Sequence, residues 1–140
     1  MLLRKDIEGA LNQWYRAWNE HDLDGVMEFI HDDIIFEHWT GSTVAGKESL
    51  RRAWLPWFIN HGGFKFTEEA TFIDEIKQSV LAQWQLEWPS LEKKHRGAIE
   101  TRRGVDILHF QDGKIIKKIT YSKTSTAIQG EKVPVPLLKI

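Results

Sequence analysis

The spacing of apolar residues changes once along this chain, and that change limits what it can fold into. Up to residue 58 they recur every three or four positions. Leu3, Ile7, Leu11, Trp14 and Trp18 form one such series, Leu23, Val26, Met27 and Ile30 a second, and Leu50, Ala53, Trp54, Trp57 and Phe58 a third. This spacing lines one face of a helix. From Phe64 onward the period is two, in "FKFTEEATFID", "SVLAQWQLEW", "AIETRRGVDILHF" and "KIIKKITYSKTS". Period two belongs to strands, whose side chains alternate between faces. An earlier strand is expected within "DDIIFEHWTG", from Ile34 to Trp39.

The punctuation agrees with this division. Asp22 in "NEHDLDG" is placed to cap the second helix. Pro56 is expected to kink the third helix or end it early. "TGSTVAG" and "PSLEKKHRG" read as loops, and Asp112-Gly113 supplies the positive φ of a tight hairpin turn. Residues 126–140 hold two prolines and read as an extended C-terminal arm. Helices segregated from a run of antiparallel strands define an α+β domain. The simplest packing is a cone: a curved antiparallel sheet wrapped around the long N-terminal helix, with two further short helices. Its wide mouth would hold a pocket. At 140 residues the chain is expected to be one domain, 1–140.

Composition narrows the function classes. Net charge is -1, and no Lys/Arg block is longer than two or three residues. Such a chain has no electrostatic footprint for nucleic acid or an anionic membrane surface. Without cysteine, disulfides, thiolate metal sites and cysteine nucleophiles are excluded. This fits the reducing cytoplasm, which is the expected location. The N-terminus does not read as a signal peptide, and no apolar run approaches the roughly 18 residues of a membrane span. His31, Asp32 and Asp33 are adjacent in a loop and lack the spacing of a metal motif, so neither metal nor cofactor is expected.

Alternation then selects candidate site residues. Ile34, Phe36 and His38 share one face of their strand, and Ile35, Glu37 and Trp39 the other. Asp106, Leu108 and Phe110 share a face, with Val105, Ile107 and His109 opposite. An acid between apolar neighbours on a concave face would be desolvated. An imidazole entering the same hollow would be a competent base near neutral pH. Seven tryptophans and seven phenylalanines are the unusual feature of the composition, enough to fill a core, line a pocket or seal a subunit interface. Trp14, on the inner face of the first helix, and Trp84, central on its strand, are the leading pocket walls. Trp18, Phe36, Trp54, Trp88, Leu108 and Phe110 complete the set expected to bind a hydrophobic small molecule. Arg102 and Arg103 read as a solvated strand edge.

Three segments, "AWNEHDLDGVMEFIHDDIIFEH", "VAGKESLRRAW" and "RGVDILHFQDGKI", resemble the nuclear-transport-factor-2-like superfamily. The closest branch is the SnoaL-like polyketide cyclases and ketosteroid isomerases. The resemblance covers about residues 5–125 and implies a cystatin-like α+β barrel. It places His38 where the isomerases keep a general-base aspartate, and Asp106 where they and the cyclases keep a second acid. Trp14 stands where the isomerases keep an oxyanion-binding tyrosine, and Gly104 where epoxide hydrolases of the superfamily keep an arginine. The resemblance also implies a homodimer through the outer face of the sheet, with Trp39 and His109 as interface residues.

Two role assignments fit His38 and Asp106. His38 abstracts a proton next to a carbonyl while a neutral Asp106 stabilises the enolate, or an ionised Asp106 is the base and His38 orients the substrate or donates a proton. Either gives a cofactor-independent isomerase, cyclase or dehydratase acting on a hydrophobic carbonyl compound. A non-catalytic small-molecule binder and a dimeric interaction module of the same fold are the alternatives.

Overall fold

The computed structural model describes residues 1–123 and 125–134. In chain order it holds α1 (Arg4–Asn19), α2 (Leu23–Met27), β1 (Ile30–Glu37), β2 (Thr43–Ala45), α3 (Lys47–Ile59) and β3 (Lys65–Asp74). There follow β4 (Ser79–Pro89), β5 (Ile99–Gln111), β6 (Lys114–Ser122), β7 (Ser125–Ile128) and β8 (Glu131–Pro134).

The helices follow from local signals. Ile7, Leu11, Trp14 and Trp18 of α1 are buried as their spacing predicts, whereas Leu3 precedes the helix and is exposed. The Asp22 carboxylate accepts from the Gly25 N–H at 3.0 Å and caps α2. Pro56 does not end α3, which runs on to Ile59. Its missing N–H costs one bond to the carbonyl a turn earlier, and the buried face of Leu50, Trp54 and Phe58 holds the helix across the gap.

The main sheet runs β2-β1-β6-β5-β4-β3, curved and unclosed. Its pairings are antiparallel except for β1 with β6, which is parallel. Parallel pairing arises because α3 and β3 to β5 lie between these strands in the chain, and β6 returns alongside β1. The architecture is α+β, as expected, with that one parallel exception. Three boundaries differ from the sequence reading. β1 begins at Ile30 and ends at Glu37, short of Trp39. The "TGSTVAG" segment contains β2, paired with β1. Part of the expected C-terminal arm forms the β7–β8 hairpin, which pairs with β5 at Glu100 and Thr101. Residues 135–140 of that arm lie outside the described residues.

The inner face of the sheet closes on α1 around a core led by Ile7, Trp14, Ile34, Trp84 and Leu108. A buried side chain of this size contributes about 1.5–3 kcal/mol through lost contact with water. The register shifts between Ile30 and Ile35 of β1, and two further irregularities are bulges. One lies in β3, where Glu68 pairs with Trp84 and Ala70 with Gln83. The other lies in β6, where Ile115 faces Phe110 but Lys117 faces His109, leaving Ile116 unpaired. On the outer face, Phe72, Leu81, Ile107 and Ile119 stand opposite one another across β3, β4, β5 and β6.

Candidate functional site

Between α1, α3 and the inner face of the sheet lies a cavity of about 400 Å³. α1 contributes Trp14, Tyr15 and Trp18, and α3 contributes Ala53, Trp54 and Trp57. The strands supply Phe36, Val44, Phe66, Trp84, Leu86, Trp88, Asp106, Lys118 and Thr120, and the β1–β2 turn supplies His38, Trp39 and Ser42. The aromatic walls are held by tilted and edge-on ring contacts with one another and with the core. Trp18 meets Trp54 and Phe58 at 4.9 Å between ring centroids, and Phe66 meets Trp84 at 5.5 Å. Such pairs contribute about 0.5–1.5 kcal/mol beyond their burial.

Eight of the ten residues selected from sequence line this cavity: His38, Asp106, Trp14, Trp18, Phe36, Trp54, Trp84 and Trp88. Leu108 and Phe110 do not. They share the face of Asp106, but that face continues past the cavity into the core, where Leu108 stands opposite Val80 and Phe110 opposite Ile115.

Alternation predicts the outer face for Trp39, yet it lines the cavity. The alternation that placed it outside ends with β1. Beyond Glu37 the chain turns, with Gly41 N–H donating to the His38 carbonyl and His38 N–H to that of Ser42, both at 2.9 Å. The turn brings the Trp39 ring against His38, tilted at 36° with centroids 4.2 Å apart. Arg102 is also a correction. It is buried, paired with Glu100 at 3.3 Å, and its guanidinium lies 4.8 Å from the Trp39 ring centroid and 5.5 Å from that of Trp88. Arg103 is exposed as expected and pairs with Glu69.

The polar centre was only half visible in the sequence. Asp106 is buried, and both its hydrogen bonds fall on Oδ1. The Lys118 ammonium donates to that oxygen at 3.0 Å and the Thr120 hydroxyl at 2.6 Å, while Lys118 also donates to Thr120 Oγ1 at 2.6 Å. Among the described residues Oδ2 takes no hydrogen bond. The ammonium lies 4.7 Å from the Phe36 ring centroid and 5.9 Å from that of Trp54. Simple alternation from Ile115 would send Lys117 inward; the bulge at Ile116 sends Lys118 and Thr120 instead. Only the odd spacing from Ile115 to Thr120 could have signalled this.

His38 engages Thr40 Oγ1 through Nδ1 at 3.1 Å. Burial, with the Lys118 and Arg102 cations nearby, lowers its pKa from 6.5 to about 4, against a smaller opposing pull from Asp106. The ring is therefore uncharged at neutral pH. Burial also pushes the Tyr15 phenol well above its usual range, reinforced by the Asp106 and Glu68 carboxylates, so it is available only as O–H. Tyr15 Oη and the indole N–H groups of Trp14, Trp84 and Trp88 are buried without an acceptor among the described residues. Each such group costs about 1–3 kcal/mol.

No helix among the described residues is long and apolar enough to cross a membrane. Solved structures share the fold at low identity. A candidate polyketide cyclase of Xanthomonas campestris pv. campestris is 16% identical, with 86% of this chain and 92% of that one covered and a TM-score of 0.72. TerC, co-crystallised with polyporic acid, is 20% identical over 85% of this chain and 92% of its own, with a TM-score of 0.69. A SnoaL-like protein of unknown function from Burkholderia thailandensis is 18% identical over 88% and 99%, with a TM-score of 0.68. No curated protein matches the chain. The profile of the SnoaL-like domain matches residues 11–118, well over half the sequence, and the chain belongs to that family.

Proposed function

We propose that this protein binds a flat, oxygenated hydrophobic molecule in the aromatic cavity and moves a proton at a carbon next to its carbonyl, without a cofactor. The observation that carries this reading is Asp106 Oδ2, an acceptor without a hydrogen bond among the described residues, on a carboxyl that lines a mostly aromatic cavity. Of the two role assignments, the ion pair favours Asp106 as base, because a neutral Asp106 would leave the buried Lys118 ammonium without its counter-charge. An imidazole with a pKa of about 4 is a weak base, so His38 fits the role of uncharged orienting group. The likeness to TerC, which was crystallised with polyporic acid, is compatible with the ligand proposed. A second copy of the chain is the expected partner, packed on the outer row of Phe72, Leu81, Ile107 and Ile119.

Enolisation can be tested without knowing the natural substrate. In D₂O, 2-tetralone should lose its α-protons faster with the protein than with buffer, read by proton NMR. Asp106→Asn should slow that exchange by about 10²–10⁴, the usual worth of a positioned base. Binding of 2-tetralone with no exchange above buffer would leave a ligand-binding protein rather than an enzyme.

A further inference from the structure

Lys118 is the group in the cavity that neither the family match nor the sequence pattern assigns. Its ammonium is buried, in a ring-walled site where an uncompensated charge is costly. Two of its three N–H groups are used, one on Asp106 Oδ1 and one on Thr120 Oγ1. The third has no acceptor among the described residues. On the other side of the pair, Asp106 Oδ2 is free. A donor and an acceptor are thus both unoccupied, on two side chains already bonded to each other within one cavity.

We propose that Lys118 is the oxyanion-binding residue of this site, and that its counter-ion passes from the Asp106 carboxylate to the ligand's enolate when the proton moves. This deepens the function proposed above and rests on its assignment of Asp106 as base. The step balances. The ligand's C–H bond breaks, its electron pair moves into the carbonyl and places negative charge on the oxygen, and the proton ends on Asp106 Oδ2. Before the step the cavity holds an ammonium and a carboxylate; after it, an ammonium, an enolate and a neutral acid. The buried negative charge moves a short distance and no new charge is made in a dry site. That matters because creating a charge there would cost several kcal/mol, whereas exchanging one partner of an ion pair costs far less. Thr120, bonded to both groups, holds the lysine in place as the aspartate is protonated.

The same arrangement makes an unusual prediction for binding. Removing the charge of Asp106 should help the site accept an anion, because Lys118 then lacks a counter-ion. The probes are 2-naphthoate, an anion, and 2-acetonaphthone, its neutral analogue, followed by quenching of tryptophan fluorescence. In Asp106→Asn, naphthoate should bind at least roughly tenfold more tightly than in the wild type, in line with a vacated buried charge. Acetonaphthone affinity should change less than about twofold. In Asp106→Asn/Lys118→Gln the gain should vanish. Should Asp106→Asn fail to fold, Lys118→Gln alone decides: it should weaken naphthoate relative to acetonaphthone, and equal losses would overturn the proposal. A naphthoate affinity unchanged in Asp106→Asn, or a gain that survives in the double variant, also overturns it while leaving the ligand-binding reading intact. If neither probe binds any form of the protein, this proposal and the function beneath it fall together.

Discussion

Lys118 and Asp106 lie on a diagonal between β6 and β5: Asp106 faces Thr120, Lys118 faces Leu108, and the two charged groups meet at 3.0 Å. Diagonal neighbours on one face of a sheet are within reach of a long side chain. They share that face only because Ile116 is an extra residue in β6.

That buried pair should be strongly coupled in stability. Lys118→Met leaves a buried carboxylate with only Thr120, and should lower the unfolding free energy by roughly 3–5 kcal/mol. Lys118→Met/Asp106→Leu removes both charges and should recover most of the loss. Urea unfolding of the wild type, both single variants and the double variant measures the coupling, and additive losses would show that the pair is not interacting.

His38 should make the fold acid-sensitive. Its folded pKa of about 4 is below the 6.5 of an unfolded chain, so between those values the unfolded state holds more protons. Stability is then fully present above pH 6.5 and is lost as pH falls toward 4. After allowance for the ring's partial exposure, the contribution is on the order of 1–2 kcal/mol. His38→Gln should flatten that part of the pH profile of the urea midpoint, and an unchanged slope would contradict the assignment.

Gly104 should tolerate no side chain. A Cβ there would lie 2.5 Å from the Trp84 ring and 2.4 Å from the Tyr121 carbonyl oxygen. Tyr121 belongs to the neighbouring strand β6, and its backbone has little room to retreat. Gly104→Ala should cost roughly 1–3 kcal/mol, typical of overpacking. It should also blue- or red-shift the tryptophan emission as Trp84 is displaced; a variant with wild-type stability and emission would refute the packing argument.

The apolar row on the outer sheet face should govern self-association. Leu81→Glu places a carboxylate between Phe72 and Ile107. Sedimentation velocity should show a dimer for the wild type and a monomer for the variant, with far-UV circular dichroism unchanged. A wild-type monomer at tens of micromolar would remove the second copy from the list of partners.

Much of the molecule was legible beforehand because local patterns carry it. The buried face of α1 follows from the spacing of Ile7, Leu11, Trp14 and Trp18, and the cap of α2 from Asp22. The inward series Ala82, Trp84 and Leu86 follows from an uninterrupted alternation on β4. Asp106 was placed by the same rule and lines the cavity; His38, one residue past the end of β1, lines it from the turn. The rule failed wherever the period itself broke. Trp39 lies beyond the last residue of β1, and Lys118 lies beyond a bulge. Leu108 and Phe110 failed differently: alternation names a face but not where along it a cavity stops.

The amino-acid order alone determined the three helices and the longer strands, the family, and the inward direction of side chains on regular stretches, because these depend on periodicity and near neighbours; the short strands β2, β7 and β8 were not legible in it. Only the tertiary structure decided that Lys118 and Thr120 join Asp106 in the polar centre, that Trp39 and Arg102 turn inward, and that Asp106 keeps one oxygen free. Those outcomes depend on strand register and on the curvature that a single unpaired residue introduces, and register is set by packing across the whole sheet.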